Sequence, residues 1–297
     1  MRSVVLPNDL KIYAPNEIEA RTLYREIFTE KTYSSNGIVV SDGDCIFDVG
    51  ANIGLFSIYL FRSYRGLRLF AFEPVRQTFA FLEQNARLYL NGGADSQTKL
   101  FSFGLSDRRG TALFEYDRFM GLTATMYPKE VHGCARPNAG MNAWAEACVL
   151  DLHRISKLSD RQADLLLKAL SKPVVGSLVA AVMIAFLIGL VLRNQIFLER
   201  TECSLSTVSE VIREHNVEAI DLMKIDVEGS ELDVIRGIAP DDWPKIKQFV
   251  VEAHDIDGRV ELMRSIFENH GYRTTVSQED WAVHKLINIF TIYAVKG

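Results

Sequence analysis

The chain has 297 residues, of which 48% are hydrophobic, enough for one large domain or for one domain that carries an insertion. Its formal net charge of −5 argues against a nucleic-acid partner, because nucleic-acid-binding domains are usually basic. The four cysteines show neither a CxxC pair nor metal-binding spacing, so we expect reduced thiols in a cytoplasmic protein. The polar N-terminus has no apolar stretch typical of a signal peptide.

Residues 1–41 are predicted to form an N-terminal cap, with helical periodicity over residues 16–28. Residues 42–297 are predicted to form the main domain, in which strands and helices alternate. This alternation is typical of an α/β, Rossmann-like, doubly wound sheet. The strands are expected at 45–47, 69–72, 99–103, 111–116, 220–225, 246–253, 272–276 and 287–295, and the main helices at 53–64, 75–90, 230–238 and 260–270.

The turn after the strand at 45–47 carries the clearest indication of function. It reads DVGANIGLF (residues 48–56), and Gly50 and Gly54 let the backbone turn sharply beside a ligand. The next helix would present free N–H groups at its N-terminus. Glu73 ends the following strand, at the distance expected of an acid that binds a ribose diol. The pattern predicts a site for a nucleotide-type cofactor.

The glycine spacing favours S-adenosylmethionine over NAD as that cofactor. GANIG lacks the middle glycine that lets a pyrophosphate approach the backbone, and Asp48 would repel phosphate but suits an ammonium group. An NAD-dependent oxidoreductase therefore stays only a lesser alternative. We predict cofactor contacts from Asp48, Gly50, Asn52, Gly54 and Glu73.

An insertion is predicted at residues 118–203, where the alternation breaks. It contains a strongly apolar helix at 173–192, whose core at 174–192 carries no charge and is a candidate membrane span. However, both flanks belong to one sheet and must lie on the same side of a bilayer, and irregular chain cannot return through hydrocarbon. Three interpretations stay open: a lid or homodimer interface, a membrane-dipping helix, and a true span.

Five motifs together resemble the FkbM-type methyltransferases that use S-adenosylmethionine, in particular those beside or within polyketide and peptide synthetase modules. The motifs are DVGANIGLF, FEP (72–74), LSDRRG (105–110), LMKIDVEGSELDVIRGI (222–238) and FVVEAHD (249–255). The resemblance covers roughly residues 5–125 and 200–295. It implies the class I methyltransferase fold, with seven strands of which the last is antiparallel, and adenine-side contacts from Leu105 and Ser106.

Four side chains are predicted to carry the chemistry: Asp226 and Glu228 after one strand, and Glu252 and His254 at the end of the next. Both strand ends should border the crevice where doubly wound sheets bind ligands. Methyl transfer to a hydroxyl needs an oriented oxygen and removal of its proton, and His254 is the natural base. These four groups also suit a divalent cation without being diagnostic of one, and no metal is predicted.

We therefore expect an S-adenosylmethionine-dependent O-methyltransferase that acts on a hydroxyl of a small molecule or carrier-bound intermediate. The acceptor oxygen follows from the family resemblance only. The rival hypothesis is a membrane-associated, non-catalytic binding or scaffold protein with the same fold, suggested by the apolar run at 173–192. The expected location is the cytoplasm, with membrane association through that run as the alternative.

Overall fold

The computed structural model describes residues 2–90, 96–117, 120–127, 141–155, 158–172, 198–278, 280–286 and 288–297. The strands are β1 (Arg2–Leu6), β2 (Leu10–Ala14), β3 (Cys45–Val49), β4 (Arg68–Phe72), β5 (Gln97–Phe101), β6 (Gly104–Leu105), β7 (Gly110–Asp117), β8 (Met120–Thr125), β9 (Leu198–Ser206), β10 (Leu222–Ile225), β11 (Gln248–His254), β12 (Tyr272–Ser277) and β13 (Ile289–Lys296). The helices are α1 (Glu17–Tyr24), α2 (Leu55–Ser63), α3 (Arg76–Tyr89), α4 (Met141–Arg154), α5 (Asp160–Leu170), α6 (Val208–Glu214), α7 (Glu231–Arg236), α8 (Arg259–Asn269) and α9 (Ala282–Leu286).

The central sheet of the described chain has seven strands in the order β12-β13-β11-β10-β3-β4-β5. The pairings from β11 through β5 are all parallel, whereas β13 runs antiparallel to both β11 and β12. This confirms the seven-stranded, doubly wound fold with an antiparallel last strand. The carboxyl ends of β3, β4 and β10 therefore meet at one edge of the sheet.

Alternate side chains of the central strands pack on opposite faces of the sheet, as the two-residue period of a strand requires. Ile46 and Leu69 belong to a cluster with α2, α3 and the N-terminal cap, whereas Phe47 and Phe70 belong to a cluster with α6, α7 and α8. All four side chains are at most 3% exposed. Burial on both faces explains why these strands read as continuous apolar runs.

The N-terminal cap contains an antiparallel β1–β2 hairpin that the periodicity did not predict. The helix expected over 16–28 begins after Asn16, whose side chain accepts a hydrogen bond from the N–H of Glu19 at 2.8 Å. It ends as an α-helix at Tyr24 and continues as a π-helical turn, Arg25–Glu30. This turn and the 3-10 turn Thr32–Ser34 bring cap side chains to the sheet edge.

A second sheet, in the order β6-β9-β7-β8, covers the edge where β3 and β4 end. Its strand β7 was predicted as a rim strand at 111–116, but its partners β8 and β9 were not predicted. Val75, Phe114, Tyr116 and Cys203 form the buried cluster beneath it. This sheet closes one side of the crevice at the carboxyl edge.

Residues 118–203, the predicted insertion, contribute β8, α4, α5 and most of β9. The helix α5 begins with a capping box between Ser159 and Gln162. The apolar helix expected at 173–192 lies outside the described residues. No helix in the described part of the chain combines the length and apolar character that a bilayer span needs.

Candidate active site

A cleft opens at the carboxyl ends of β3, β4 and β10, with about 630 Å³ of empty space, part of which is open solvent. Its wall is formed by the turn after β3, the ends of β4 and β10, and the second sheet. The lining residues are Val49, Gly50, Asn52, Phe72, Glu73, Pro74, Gly104, Leu105, Phe114, Ala124, Met126, Asp226, Val227, Glu228 and Ser230.

The turn after β3 passes directly against the end of β10. Gly50 has a φ of +77°, and a Cβ atom there would overlap the backbone carbonyl of Asp226. The N–H groups of Gly50 and Ala51 both donate to the carbonyl of Phe72, at 3.0 and 2.9 Å. Only glycine satisfies both the positive φ and the close approach. The backbone of the predicted cofactor turn is therefore in direct contact with the backbone of Asp226, the first predicted catalytic acid.

Two polar atoms at the cleft lack a hydrogen-bond partner within the described chain. They are Oδ1 of Asn52 and Oγ of Ser230, and both are buried. Asn52 also has a positive φ of 50° in the turn. Such uncommon backbone conformations cluster at active sites and ligand-binding sites. Since buried polar atoms are nearly always paired, these two suit a polar ligand in the cleft.

Glu73 lies at the end of β4, as the sequence predicted, and it lines the cleft. Its carboxyl accepts from the N–H of Val75 at 2.9 Å and from the N–H of Asn52 at 3.1 Å. Burial raises the pKa of Glu73 to about 7, although these two N–H groups oppose the shift. The carboxyl thus links the glycine turn to β4 and titrates near neutral pH.

Asp48 lies beneath the turn, fully buried, and is not among the residues that line the cleft. It accepts from Oγ of Ser57 at 2.7 Å and forms an ion pair of 3.5 Å with Lys224. Lys224 also pairs with Asp226 at 3.2 Å and donates to the carbonyl of Gly50 at 2.8 Å. Burial alone would lower the pKa of Lys224, but Asp226 and Asp48 outweigh burial and raise it.

The other predicted cofactor residues divide into two groups. Leu105 lines the cleft and is 3% exposed. Gly54 begins α2 with a φ of +87° and packs against Leu82 rather than against the cleft. Ser106 is buried beside the cleft, and its N–H donates to the carbonyl of Ser206 at 2.9 Å.

Asp226 and Glu228 face the cleft, with side chains 20% and 23% exposed. Glu228 adopts a φ of +50°, which is unusual for a residue with a side chain, and Thr125 of β8 donates to its carbonyl at 2.6 Å. Burial raises the pKa of Glu228 well above its usual value, with the nearby His254 opposing the shift. The structure thus brings both predicted acids to one place.

His254 has a setting that differs from that of a base. It is 2% exposed, lies behind the cleft, and stands 3.5 Å from Glu228 and 3.6 Å from Glu231. Burial lowers its pKa, but Glu231 and Glu228 outweigh burial and raise it to about 9. Its imidazole is therefore positively charged at neutral pH, where it balances the two acids.

Glu252 is buried and contacts the N-terminal cap. Its Oε2 lies 3.1 Å from the hydroxyl of Tyr33, which also contacts Glu26. Neither Tyr33 nor Glu26 was predicted as a site residue, because no local pattern marks them. Lys224 was not predicted either, although a lysine within the apolar strand LMKI is a visible signal in the sequence. No group of three or more His, Cys, Asp or Glu side chains in the described chain has metal-binding geometry.

Comparison with known proteins identifies the family. Residues 192–274 match the family described as the methyltransferase FkbM domain. The chain is 31% identical over 280 residues to the 31-O-demethyl-FK506 methyltransferase FkbM of Streptomyces tacrolimicus, across 93% of this chain and 90% of that protein. This chain belongs to the FkbM methyltransferase family. The resemblance noted in the sequence is thereby confirmed.

Other relatives align over most of this chain. Methyltransferase sdnD of Sordaria araneosa is 28% identical across 92% of this chain and 90% of its own length. The AMB antimetabolite synthetase AmbE of Pseudomonas aeruginosa is 29% identical across 99% of this chain, which spans only 12% of that protein. A solved structure of methyltransferase FkbM from Methylobacillus flagellatus has a TM-score of 0.48 and 13% identity, covering 94% of this chain and 55% of that one.

The cofactor of this FkbM-family methyltransferase is S-adenosylmethionine. The cleft fits it in two respects. The acids Glu73, Asp226 and Glu228 border the cleft and complement the positive charge of a sulfonium compound. The unpartnered atoms of Asn52 and Ser230 offer hydrogen bonds to its polar groups.

Proposed function

We propose that this chain transfers the methyl group of S-adenosylmethionine to a hydroxyl of a small molecule or of a carrier-bound intermediate. The contact between Gly50 and Asp226 carries this proposal, because it joins the cofactor turn to an acid that faces the same cleft. The relative named a 31-O-demethyl-FK506 methyltransferase supports a hydroxyl acceptor. The alignment with the synthetase AmbE supports a carrier-bound intermediate.

In this proposal the turn after β3 and the end of β4 hold the cofactor. Glu73 accepts hydrogen bonds from the ribose diol, and Asn52 and Gly50 border the bound molecule through the turn. Leu105 packs on the adenine side, with Ser106 fixing the backbone behind it. Asp48 acts from beneath the turn, since it orients α2 through Ser57 and pairs with Lys224.

The cofactor supplies an electrophilic methyl group on a positively charged sulfur. The chain's own task is to hold the acceptor oxygen in line with that methyl group and to receive the hydroxyl proton. We assign the proton to Asp226, because it faces the cleft and its carboxyl joins a hydrogen-bonded path through Tyr33 to Glu252. During methyl transfer to the acceptor oxygen, the O–H proton would pass to this carboxylate.

Glu228 and His254 have supporting roles in the same scheme. Glu228 lines the cleft beside Asp226 and is placed to orient the acceptor hydroxyl. His254 carries a proton at neutral pH, so it serves as a counter-charge to Glu228 rather than as the base. Much of the rate enhancement then comes from positioning, which can supply several kcal/mol of barrier lowering by itself.

A mass-shift screen tests this function. The purified chain is incubated with S-adenosylmethionine and a panel of polyketide and peptide alcohols, free and attached to carrier protein, and products are scored for a gain of one methyl group. We expect methylation of a hydroxyl compound, and Asp226→Asn should reduce its rate about a hundredfold or more, the lower end of the range for a lost general base. Transfer to nitrogen or carbon acceptors alone would contradict the proposed chemistry.

A further inference from the structure

The hydroxyl of Tyr33 lies among three carboxyl groups that come from three different parts of the chain. It is 3.0 Å from Oε1 of Glu26, 3.1 Å from Oε2 of Glu252 and 3.3 Å from Oδ2 of Asp226. Tyr33 and Glu26 belong to the N-terminal cap, Glu252 to β11, and Asp226 follows β10. We call these four residues the Tyr33 cluster. Only Asp226 among them lines the cleft.

Hydrogen counting constrains the charge of this cluster. A phenol carries one hydrogen, so Tyr33 donates to one of its three neighbours at a time. Its oxygen can accept from a second neighbour only if that carboxyl is protonated and donates. Three ionised carboxylates around one hydroxyl would leave two of the three contacts repulsive. The geometry therefore requires a proton that the carboxyl groups share.

The tyrosine is held rigidly in this position. Its side chain is 2% exposed, and its ring packs edge-on against Phe56 with centroids 5.4 Å apart. The ammonium of Lys224 lies 5.3 Å from the ring centroid, a distance typical of a cation–π contact. A rigid hydroxyl keeps the three carboxyl groups within reach of one another.

More carboxyl groups than cationic groups surround the cluster in the described part of the chain. The two cations there are Lys224, which pairs with Asp226 and Asp48, and the protonated His254. His284 on α9 stays neutral, because burial and the charge of His254 lower its pKa to about 4. The further carboxyl groups that face the cluster from β3, β4, the loop after β10 and α7 are Asp48, Glu73, Glu228 and Glu231.

The titration behaviour of the cluster agrees with the hydrogen count. Burial raises the pKa of Glu252 to about 7, and the charge of Asp226 adds to the shift. Burial, followed by the charges of Glu252 and Asp226, raises the pKa of Glu26 well above its usual value. A shared proton is thus held near neutral pH, yet a nearby positive charge is enough to displace it.

We propose that Tyr33 and Glu26 are positioning residues that, with Glu252, hold a shared proton beside Asp226 and give it up to solvent when the cationic cofactor binds. Asp226, which pairs with Lys224 and faces the cleft, then receives the acceptor's proton. The sulfonium of the cofactor replaces the charge of the departing proton, and no covalent bond other than O–H changes. This inference rests on the proposed function, because it assumes that the cleft binds S-adenosylmethionine.

The same arrangement distinguishes the cofactor from its product. S-adenosylhomocysteine has the same ribose, adenine and amino acid groups but lacks the sulfonium charge. It should therefore release fewer protons from the Tyr33 cluster. Its uncharged sulfur also lacks the attraction that a sulfonium has to the carboxyl groups. Both ligands make the predicted ribose contact with Glu73. The difference in proton release between the two ligands therefore reports on the Tyr33 cluster rather than on that contact.

Proton release is measurable by isothermal titration calorimetry in two buffers of different ionisation enthalpy, between pH 6 and 8. For the unmodified chain we expect S-adenosylmethionine to release more protons than S-adenosylhomocysteine, with an excess on the order of half a proton near pH 7. Equal release by the two ligands would overturn the inference while leaving the proposed function intact. Absence of any binding of S-adenosylmethionine would instead refute the proposed function, and the inference with it.

Two variants should shift the pH dependence of this excess in opposite directions. Glu26→Gln removes one of the two carboxyl groups that share the proton, so that Glu252 alone must hold it, and should move the curve to lower pH. Tyr33→Phe removes a donor that stabilises an ionised carboxyl and should move it to higher pH. Each shift should be about 0.5–1 pH unit, the size expected for one hydrogen bond or charge of about 1 kcal/mol.

Tyr24→Phe is the matched control, since the hydroxyl of Tyr24 accepts from Asn8 at 2.9 Å in the same cap but outside the cluster. It should leave the proton-release curve unchanged. A changed curve would indicate a general effect of loosening the cap rather than a specific effect of the Tyr33 hydroxyl. If Tyr33→Phe does not fold, Glu26→Gln still decides. Curves that coincide with that of the unmodified chain, or shifts of both variants in the same direction, would overturn the inference.

Discussion

Gly50 and Asp226 lie back to back at the ends of two neighbouring parallel strands, with no room for a side chain on the glycine. A Cβ atom at Gly50 would overlap the carbonyl oxygen of Asp226. Lys224 reinforces the contact, because it donates to the carbonyl of Gly50 and pairs with the carboxyl of Asp226. The cofactor turn and the acceptor acid are therefore fixed relative to each other by the backbone.

Gly50→Ala should cost both stability and cofactor binding. The alanine faces a positive φ of 77° as well as the overlap with Asp226, so we expect a loss of at least about 2 kcal/mol of unfolding free energy. Gly43→Ala is the control, since Gly43 has a φ of +86° but nothing within 4 Å of the added Cβ. Denaturant unfolding of both variants measures the difference. Equal losses of unfolding free energy in the two variants would show that the overlap with the carbonyl of Asp226 does not destabilise the fold.

Glu73 should make ligand affinity depend on pH. Its pKa of about 7 means that the carboxyl becomes a better acceptor for ribose hydroxyls as the pH rises from 6 to 8. The affinity for S-adenosylhomocysteine, which lacks the sulfonium charge, should therefore increase about tenfold over this range. Glu73→Gln should bind more weakly and without this slope. A slope that survives in Glu73→Gln would assign the pH dependence to another group.

His254 should make the fold less stable in alkaline solution. Its folded-state pKa of about 9 exceeds the usual value of 6.5, so its stabilising effect is complete below pH 6.5 and is lost as the pH rises through 9. The loss should approach about 3 kcal/mol. His254→Gln should flatten this decline in denaturant unfolding between pH 6.5 and 9.5.

His215→Gln is the corresponding control. Burial and the neighbouring Lys99 lower the pKa of His215, so this residue is already neutral above pH 7 and should not affect the slope there. A variant at His254 that keeps the full alkaline decline would show that the imidazolium is not the stabilising group.

Lys224 should be the most sensitive charged residue of the core. Lys224→Met leaves the fully buried Asp48 without its cation, and breaking a buried pair in this way costs about 3–5 kcal/mol. Lys247→Met breaks the pair with Asp221, in which the lysine side chain is 60% exposed, and should cost less than about 1 kcal/mol. Thermal and denaturant unfolding separate the two. Comparable losses of unfolding free energy in the two variants would show that the buried ion pair of Lys224 stabilises the fold no more than the pair of Lys247 does.

The elements that rest on local patterns could be predicted from the sequence, whereas contacts between distant parts of the chain could not. The glycine turn with Glu73 at the next strand end follows from spacing, and the structure places Gly50, Asn52 and Glu73 on one cleft. Family resemblance supplied the number of strands in the central sheet and the antiparallel last strand. The π-helical turn Arg25–Glu30 has no pattern distinct from that of an α-helix, so its effect on Glu26 was not foreseeable.

The setting of His254 shows the limit of residue-type reasoning. A histidine at a strand end suggests a base, but its charge state depends on Glu228 and on Glu231, which begins the helix after the turn. Asp48 was likewise predicted beside the cofactor, but its direct partners are Ser57 and Lys224. Both outcomes depend on side-chain packing that the order of residues does not reveal.

Calorimetric titration of the unmodified chain with S-adenosylmethionine, S-adenosylhomocysteine and NAD tests the central claim most directly. We predict that the first two bind with dissociation constants between roughly 1 µM and 1 mM, a range like that of substrate KM values, and that NAD does not bind. Glu73→Ala should weaken binding by about 1–3 kcal/mol through loss of the ribose contact. Absence of binding by S-adenosylmethionine at millimolar concentration, or tighter binding of NAD, would contradict the account.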